Sequence, residues 1–226
     1  MLDWQPQSPS TSRKSNTAST RPFEALEIFY RFRPGQGLTI RCLTNTKKQD
    51  FYISLDSYNH ADRLTLTALQ SICTELPISS VEKLQLCFNA AFGVSNDSIL
   101  LSFQSLTSLK TLIIRGSVVA AVPEILRCRY TNGSPGVSSS HASSLNFPNL
   151  SSLSLDGDRF GNYAASHTEE APCFMSNLKS ALEDRKREGY RLRTLRLCSF
   201  DFPYFLKKDI EEIGKSGVVD EFRWDL

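Results

Sequence analysis

The three histidines, His60, His141 and His167, are the side chains best suited to acid–base or metal chemistry near neutral pH. Each lies in a loop-like stretch, without a cysteine or carboxylate at the spacing of a metal ligand or catalytic partner. The chain also has no Gly-x-Ser-x-Gly sequence, which marks the nucleophile of many serine hydrolases. We therefore expect surface histidines, no catalytic residues and no enzymatic activity.

The cysteines give no pattern of a metal or redox site. No two of them lie within ten residues of each other, and no Cys-x-x-Cys pair occurs. We expect free, mostly buried thiols in a reducing compartment, with no metal and no cofactor. The six positions are Cys42, Cys73, Cys87, Cys128, Cys173 and Cys198.

The stretch Ile213-Gly214-Lys215-Ser216 has the end of a phosphate-binding loop but not its beginning. Such a loop needs a glycine five positions before the Gly-Lys pair, and that position is Asp209. The better interpretation is the end of a helix with a solvated lysine.

The densest basic cluster comprises Arg185–Arg187, Arg191 and Arg193, and Glu183, Asp184 and Glu188 are interleaved with it. This mixture favours a solvated helix face with ion pairs between successive turns over a phosphate-contacting patch. Since the net charge is only +2, we expect no nucleic-acid partner.

The sequence was also searched for segments that would direct the protein into a membrane or out of the cell. No stretch approaches the roughly 20 apolar residues needed to span a bilayer. The N-terminus lacks the basic start and apolar run of a secretory signal. We expect no membrane association and an intracellular location, in cytoplasm or nucleus. Residues 1–22, rich in Ser, Thr, Pro and Gln, are expected to be a disordered leader.

A repeat of the form apolar-x-x-apolar-x-apolar organises residues 23–226. Its middle positions fall at 84, 112, 153, 195 and 222, in steps of 28, 41, 42 and 27 residues. The short steps are close to the leucine-rich-repeat period of roughly 20–29 residues. The two long steps contain extra residues, which we predict to form surface loops at about 131–146 and 157–170. The five segments are Val81–Leu86, Leu109–Ile114, Leu150–Leu155, Leu192–Leu197 and Val219–Trp224.

Two upstream segments fit the repeat with middle positions at 26 and 53 and continue its spacing, and Leu38–Ile40 between them adds a short strand. Helical patterns stand between the strands. They are predicted around Leu69–Leu76, after Asn96, around Pro123–Leu126, from Pro172 to Gly189, and from Phe205 to Ile213 with Gly214 just beyond.

This alternation of strands and helices predicts an α/β chain with parallel strands. We expect an irregular leucine-rich-repeat-like solenoid, with strands on the concave side and helices on the convex side. A doubly wound sheet would need strands that are apolar almost throughout. The strands instead alternate, as in Leu84-Gln85-Leu86, which predicts one exposed face.

The strand segments beginning at Leu109, Leu150 and Leu192 resemble the Leu-x-x-Leu-x-Leu signature of leucine-rich repeats, and Asn89 matches the Asn/Cys position of that family. The final helix, strand, helix and strand resemble the C-terminal repeats of fungal F-box/leucine-rich-repeat proteins. The resemblance implies the substrate-recognition arm of a Skp–cullin–F-box ubiquitin ligase. A recognisable F-box is absent from this sequence, so a Skp-type adaptor is an expected partner only if an F-box is present elsewhere.

The polar residues between the inward leucines form the candidate partner-binding site, on the predicted concave face. Their mixture of small, polar and oppositely charged side chains favours recognition of a polypeptide over a deep ligand pocket. Arg115 and Arg196 are the first choices, since arginine is enriched at interface hot spots. The set is Lys83, Gln85, Thr111, Ile113, Arg115, Ser152, Ser154, Asp156, Thr194, Arg196, Glu221 and Arg223.

The sequence thus favours a non-catalytic scaffold that binds a protein partner. Two alternatives stay open: a truncated or purely structural repeat fragment without a partner of its own, and an α/β enzyme with an unrecognised site. A deep pocket lined by convergent polar groups would favour the enzyme, and a shallow groove would favour the scaffold.

Overall fold

The computed structural model describes residues 24–31, 38–43, 49–55, 71, 78–89, 102–103, 106–127, 129–130, 144–157, 171–200 and 207–225. The predicted leader, most of both predicted loops and almost all of the predicted helices around Leu69–Leu76 and after Asn96 lie outside these ranges. No helix in the described part is long and apolar enough to cross a membrane.

Eight strands form one open sheet in which most neighbours run parallel, and this establishes the α/β class. The strands are β1 (Ala25–Arg31), β2 (Leu38–Leu43), β3 (Gln49–Leu55), β4 (Lys83–Asn89), β5 (Thr111–Gly116), β8 (Ser152–Asp156), β9 (Leu192–Cys198) and β10 (Val219–Asp225). Their order is β10-β9-β8-β5-β4-β1-β2-β3. A separate two-stranded antiparallel ribbon joins β6 (Arg129–Tyr130) to β7 (Ser144–Leu145).

The middle residues of the sequence repeat lie side by side on neighbouring parallel strands, as predicted. The pairing aligns each of them with the equivalent residue of the next strand. Across the sheet they are Leu26, Leu84, Leu112, Leu153, Leu195 and Phe222. The five leucines are at most 1% exposed, so they form a continuous line through the core.

The prediction that Ile53 continues this line is wrong. Leu26 lies directly beside Leu84, and β2 and β3 add to β1 as an antiparallel hairpin. Only six residues separate β1 from β2, and five separate β2 from β3. A parallel crossover needs about a dozen residues or more, so these connections permit only antiparallel pairing. The strand predicted at Leu38–Ile40 is confirmed.

The three described α-helices are α1 (Val122–Arg127), α2 (Ala171–Arg187) and α3 (Lys207–Lys215). Single 3-10 turns span Ile78–Ser80 and Ser117–Ala121. The prediction for α2 is confirmed, since Leu178, Ala181 and Leu182 are buried and Gly189 follows with a φ of 88°. The short helix predicted around Pro123 is confirmed as α1.

Helix α3 extends two residues beyond its predicted end at Ile213, so Gly214 lies within the helix. The predicted start at Phe205 lies outside the described residues. A β-carbon built at Gly214 would come within 2.7 Å of Cδ1 of Phe222. Gly214 therefore allows α3 to approach β10 closely. The left-handed conformation after the helix belongs to Gly217, with a φ of 65°.

A substitution tests this close approach. Replacing Gly214 with alanine should lower the free energy of unfolding by about 1–3 kcal/mol, because the added methyl overpacks the contact with Phe222. The same substitution in a Phe222→Leu background should cost clearly less, as read from urea unfolding curves. An equal cost in both backgrounds would mean that Phe222 does not meet Gly214.

The sheet buries one face and leaves the other partly open along the described parallel strands. Leu84 and Leu86 are fully buried, whereas Gln85 between them is partly exposed. The same alternation occurs in β5 and β8, and the buried residues share one core with residues of all three helices. This confirms the predicted alternation and disagrees with a doubly wound sheet, in which helices cover both faces.

The same hydrogen-bond junction recurs where the parallel strands begin. The carbonyl of Glu82 accepts hydrogen bonds from the N–H groups of Lys110 and Thr111, at 2.8 and 2.9 Å. Equivalent carbonyls at Glu24, Lys110 and Ser151 each accept from two successive N–H groups of the next strand. The chain therefore repeats one backbone geometry across five strands, at unequal sequence spacing.

The basic stretch at the end of α2 differs from its prediction, because Arg185 is fully buried rather than solvated. Its Nη1 and Nη2 donate hydrogen bonds to the carbonyls of Asn146 and Phe147, at 2.8 and 2.9 Å. Burial lowers the pKa of Arg185 to about 10. Leu145 and Asn146, at the end of the loop predicted at about 131–146, are buried.

Candidate functional site

The structure places all twelve candidate residues on the partly open face of β4, β5, β8, β9 and β10. The parallel register aligns them in three rows that cross the strands. The first row is Lys83, Thr111, Ser152, Thr194 and Glu221. The second row is Gln85, Ile113, Ser154, Arg196 and Arg223. The third row is Cys87, Arg115, Asp156, Cys198 and Asp225.

The centre of this polar face is lined by small side chains around one aliphatic residue. Ile113 lies between Gln85 and Ser154 in the second row, and all three are partly exposed. Ser152 and Thr111 beside them are also partly exposed. The centre of this face is therefore weakly apolar, and charged residues lie at its margins.

One ion pair joins β5 to β8 at the end of the central strands. Nε of Arg115 lies 3.5 Å from Oδ2 of Asp156, in neighbouring positions of the third row. Arg115 is 52% exposed and Asp156 is 22% exposed. Because Arg115 is about half exposed, the pair adds little stability.

Four charged residues of β9 and β10 form a second cluster, at the end of the sheet. Nε of Arg196 donates a hydrogen bond of 2.6 Å to Oδ2 of Asp225. Nε of Arg223 donates one of 2.8 Å to Oε1 of Glu221. The hydrogen bond to Asp225 raises the pKa of Arg196 above its ordinary value, so Arg196 is charged at any physiological pH.

The Cys198 thiol lies among these charges but is unsuited to nucleophilic chemistry. Burial raises its pKa, nearby Arg196 lowers it, and Asp225 and Asp156 raise it further. Its Sγ lies 3.8 Å from Oδ2 of Asp225, to which the thiol donates. The thiol is therefore protonated at neutral pH, and the reactive thiolate is scarce. Neither Cys87 nor Cys198 forms a disulfide among the described residues, and both are half-buried on the polar face.

The polar face extends beyond the twelve predicted positions, onto β1. Glu27 of β1 is aligned with Gln85, and its Oε2 lies 4.0 Å from Nη1 of Arg41 on β2. The signal was present in the sequence, since Glu27 stands between the apolar residues Leu26 and Ile28. Applying the same alternation to that segment would have found it.

The described residues hold no group of three or more His, Cys, Asp or Glu side chains that could bind a metal ion. The three histidines lie outside the described ranges.

The basic residues singled out in the sequence have structural partners. Lys215, in the stretch that resembles the end of a phosphate-binding loop, ends α3 and pairs with Glu211 at 3.1 Å. Lys186 and Arg191 donate hydrogen bonds to the carbonyl of Gly217, so part of the basic cluster holds the turn before β10.

Comparison with known proteins does not identify the chain. A scan of family models and searches of curated proteins and solved structures found no significant match.

Proposed function

We propose that the chain is a non-catalytic binding scaffold whose polar sheet face receives a polypeptide partner. In this proposal the parallel strands are the concave side of an irregular leucine-rich-repeat-like solenoid, with the helices on its convex side. The observation that carries it is the alignment of Ile113, Arg115 and Asp156 with their neighbours on one face, while the alternate residues are buried.

Three properties of this face support a polypeptide over a small molecule. Its small side chains leave room for an extended backbone to lie across the strands. Its serine and threonine hydroxyls can both donate and accept hydrogen bonds. Its charged residues occur as pairs of opposite sign, which can form ion pairs with a partner that carries both acidic and basic residues.

The proposal predicts a face-specific loss of binding. Peptides selected from a random display library on the immobilised chain should bind Arg115→Glu at least about tenfold more weakly, because an exposed cation becomes an anion beside Asp156. Affinities are compared by titration calorimetry. Lys208→Glu is the matched control, since it makes the same charge change at an exposed position of α3.

Equal affinity for wild type and Arg115→Glu, or equal losses in both variants, would contradict the use of this face. Failure to select any specific peptide would favour the alternative of a purely structural repeat fragment. Circular dichroism of both variants establishes that folding is retained.

The narrower role in a Skp–cullin–F-box ubiquitin ligase is supported only by the resemblance of the repeats. In that role the bound polypeptide would be a substrate for ubiquitylation. The chain itself is expected not to bind a purified Skp-type adaptor, because its sequence has no recognisable F-box. Binding measured between the two purified proteins would show that an adaptor can dock on the repeats.

A further inference from the structure

The ion pairs on the polar face of the parallel strands expose their cations more than their anions. In each of three pairs the arginine is the more exposed partner. The pairs are Arg115 and Asp156 at 52% and 22%, Arg196 and Asp225 at 54% and 48%, and Arg223 and Glu221 at 63% and 49%. Lys83 on the same face is exposed and forms no ion pair with another described residue. A partner that approaches these strands therefore meets positive charge first.

Two of these arginines use only part of their guanidinium groups within the described chain. Nε of Arg196 donates to Oδ2 of Asp225, and Nε of Arg115 lies 3.5 Å from Oδ2 of Asp156. The Nη1 and Nη2 groups of both arginines form no hydrogen bond with another described residue. Such a pair of groups matches the two oxygens of a carboxylate, so each arginine can donate two parallel hydrogen bonds to an acidic side chain.

Arg115 and Arg196 stand on either side of β8, close to the aliphatic centre of the face. Ile113 and Arg196 are aligned with Ser154 from opposite sides, and Arg115 follows Ile113 by two residues on β5. Because neighbouring strands lie about 4.8 Å apart, the backbones of Arg115 and Arg196 are about 10 Å apart. One short polypeptide segment can therefore reach Ile113 and both arginines together.

We infer that the polar face selects acidic polypeptides, whose Asp or Glu side chains bind Arg115 and Arg196 beside an apolar residue on Ile113. This inference rests on the proposed function and adds the charge of the partner. The interleaved carboxylates disfavour a nucleic acid, because a continuous chain of phosphates would pass close to them. An acidic polypeptide can instead place neutral residues opposite those carboxylates.

The test begins with the composition of peptides selected from a random display library on the immobilised full chain. They should be enriched in Asp and Glu and depleted in Lys and Arg relative to the unselected library. A selected peptide whose Asp and Glu are replaced by Asn and Gln should bind at least about tenfold more weakly in titration calorimetry, because the amides carry no charge for the arginines. Added salt should weaken the acidic peptide more than its amide counterpart, since it screens charges.

Reversing the two arginines gives the most specific outcome. On R115E/R196E the same library should yield peptides rich in Lys and Arg, because the sign presented by the face is inverted. R115Q/R196Q removes both charges without adding new anions and should lose the acidic preference. Lys208→Glu, at an exposed position of α3, should keep it. Circular dichroism shows which variants retain the fold, and the glutamine variant decides the matter if the reversal prevents folding.

The outcomes separate this inference from the function on which it rests. Peptides that lose affinity for Arg115→Glu but show no acidic enrichment would overturn the inference and leave the binding face in place. Failure to select any peptide would overturn both. Tighter binding of a single-stranded DNA oligonucleotide than of an acidic peptide with the same number of charges would also overturn the inference, in favour of a nucleic-acid partner.

Discussion

Replacing Arg185 with alanine should lower the free energy of unfolding by about 3–5 kcal/mol. The guanidinium is fully buried and donates to the carbonyls of Asn146 and Phe147, 39 and 38 residues away in the sequence. Alanine would leave both carbonyls without these donors and a cavity where the side chain was. Chemical denaturation followed by circular dichroism measures the change.

Arg187→Ala is the matched control, since Arg187 lies on the same helix, is 75% exposed and pairs only with Asp184 among the described residues. We expect a cost of at most about 1 kcal/mol there. If the two alanine variants proved equally stable, Arg185 could not be the buried link between α2 and the segment before β8.

Truncating Leu153 to alanine should cost about 2–5 kcal/mol. Leu153 is fully buried on β8 and lies between Leu112 and Leu195 in the line of aligned leucines. The neighbouring strands are fixed by backbone pairing and cannot close the resulting cavity fully. The midpoint and slope of urea unfolding report the loss.

Ser154→Ala provides the comparison, because Ser154 is the next residue and lies on the partly open face. Its effect should stay within about 0.5 kcal/mol. A similar loss for both substitutions would show that the two faces of β8 are equally buried.

The parallel part of the fold was predictable because two independent patterns in the sequence indicate the same strands. One is the spacing of leucines along the chain, and the other is the alternation of apolar and polar residues within each strand. The spacing of the leucines identifies which strands are equivalent, and the alternation within each strand identifies the buried face. The hairpin of β2 and β3 was misassigned because Ile53 satisfies the same local pattern in either strand direction. The lengths of the connections, rather than the apolar pattern, determine that direction.

The positions on the polar face were predictable from alternation, but their pairing was not. The contact between Arg115 and Asp156 joins residues 41 apart, and it follows only from the register of β5 with β8. The burial of Arg185 was also hidden, because its two hydrogen-bond acceptors belong to a distant segment. Because charged residues surround Arg185 in the sequence, the local pattern indicates a solvated helix face.

The central claim, that one sheet face is buried and the other is free to bind, is tested most directly at Ile113 and Ile114. These adjacent residues are chemically identical, yet Ile114 is fully buried and Ile113 lies on the partly open face. Each is replaced by aspartate, and the free energy of unfolding is measured in urea. Ile114→Asp should cost more than about 4 kcal/mol or prevent folding, whereas Ile113→Asp should cost about 1 kcal/mol or less. Comparable, severe losses at both positions would mean that the polar face is covered, and would contradict the account.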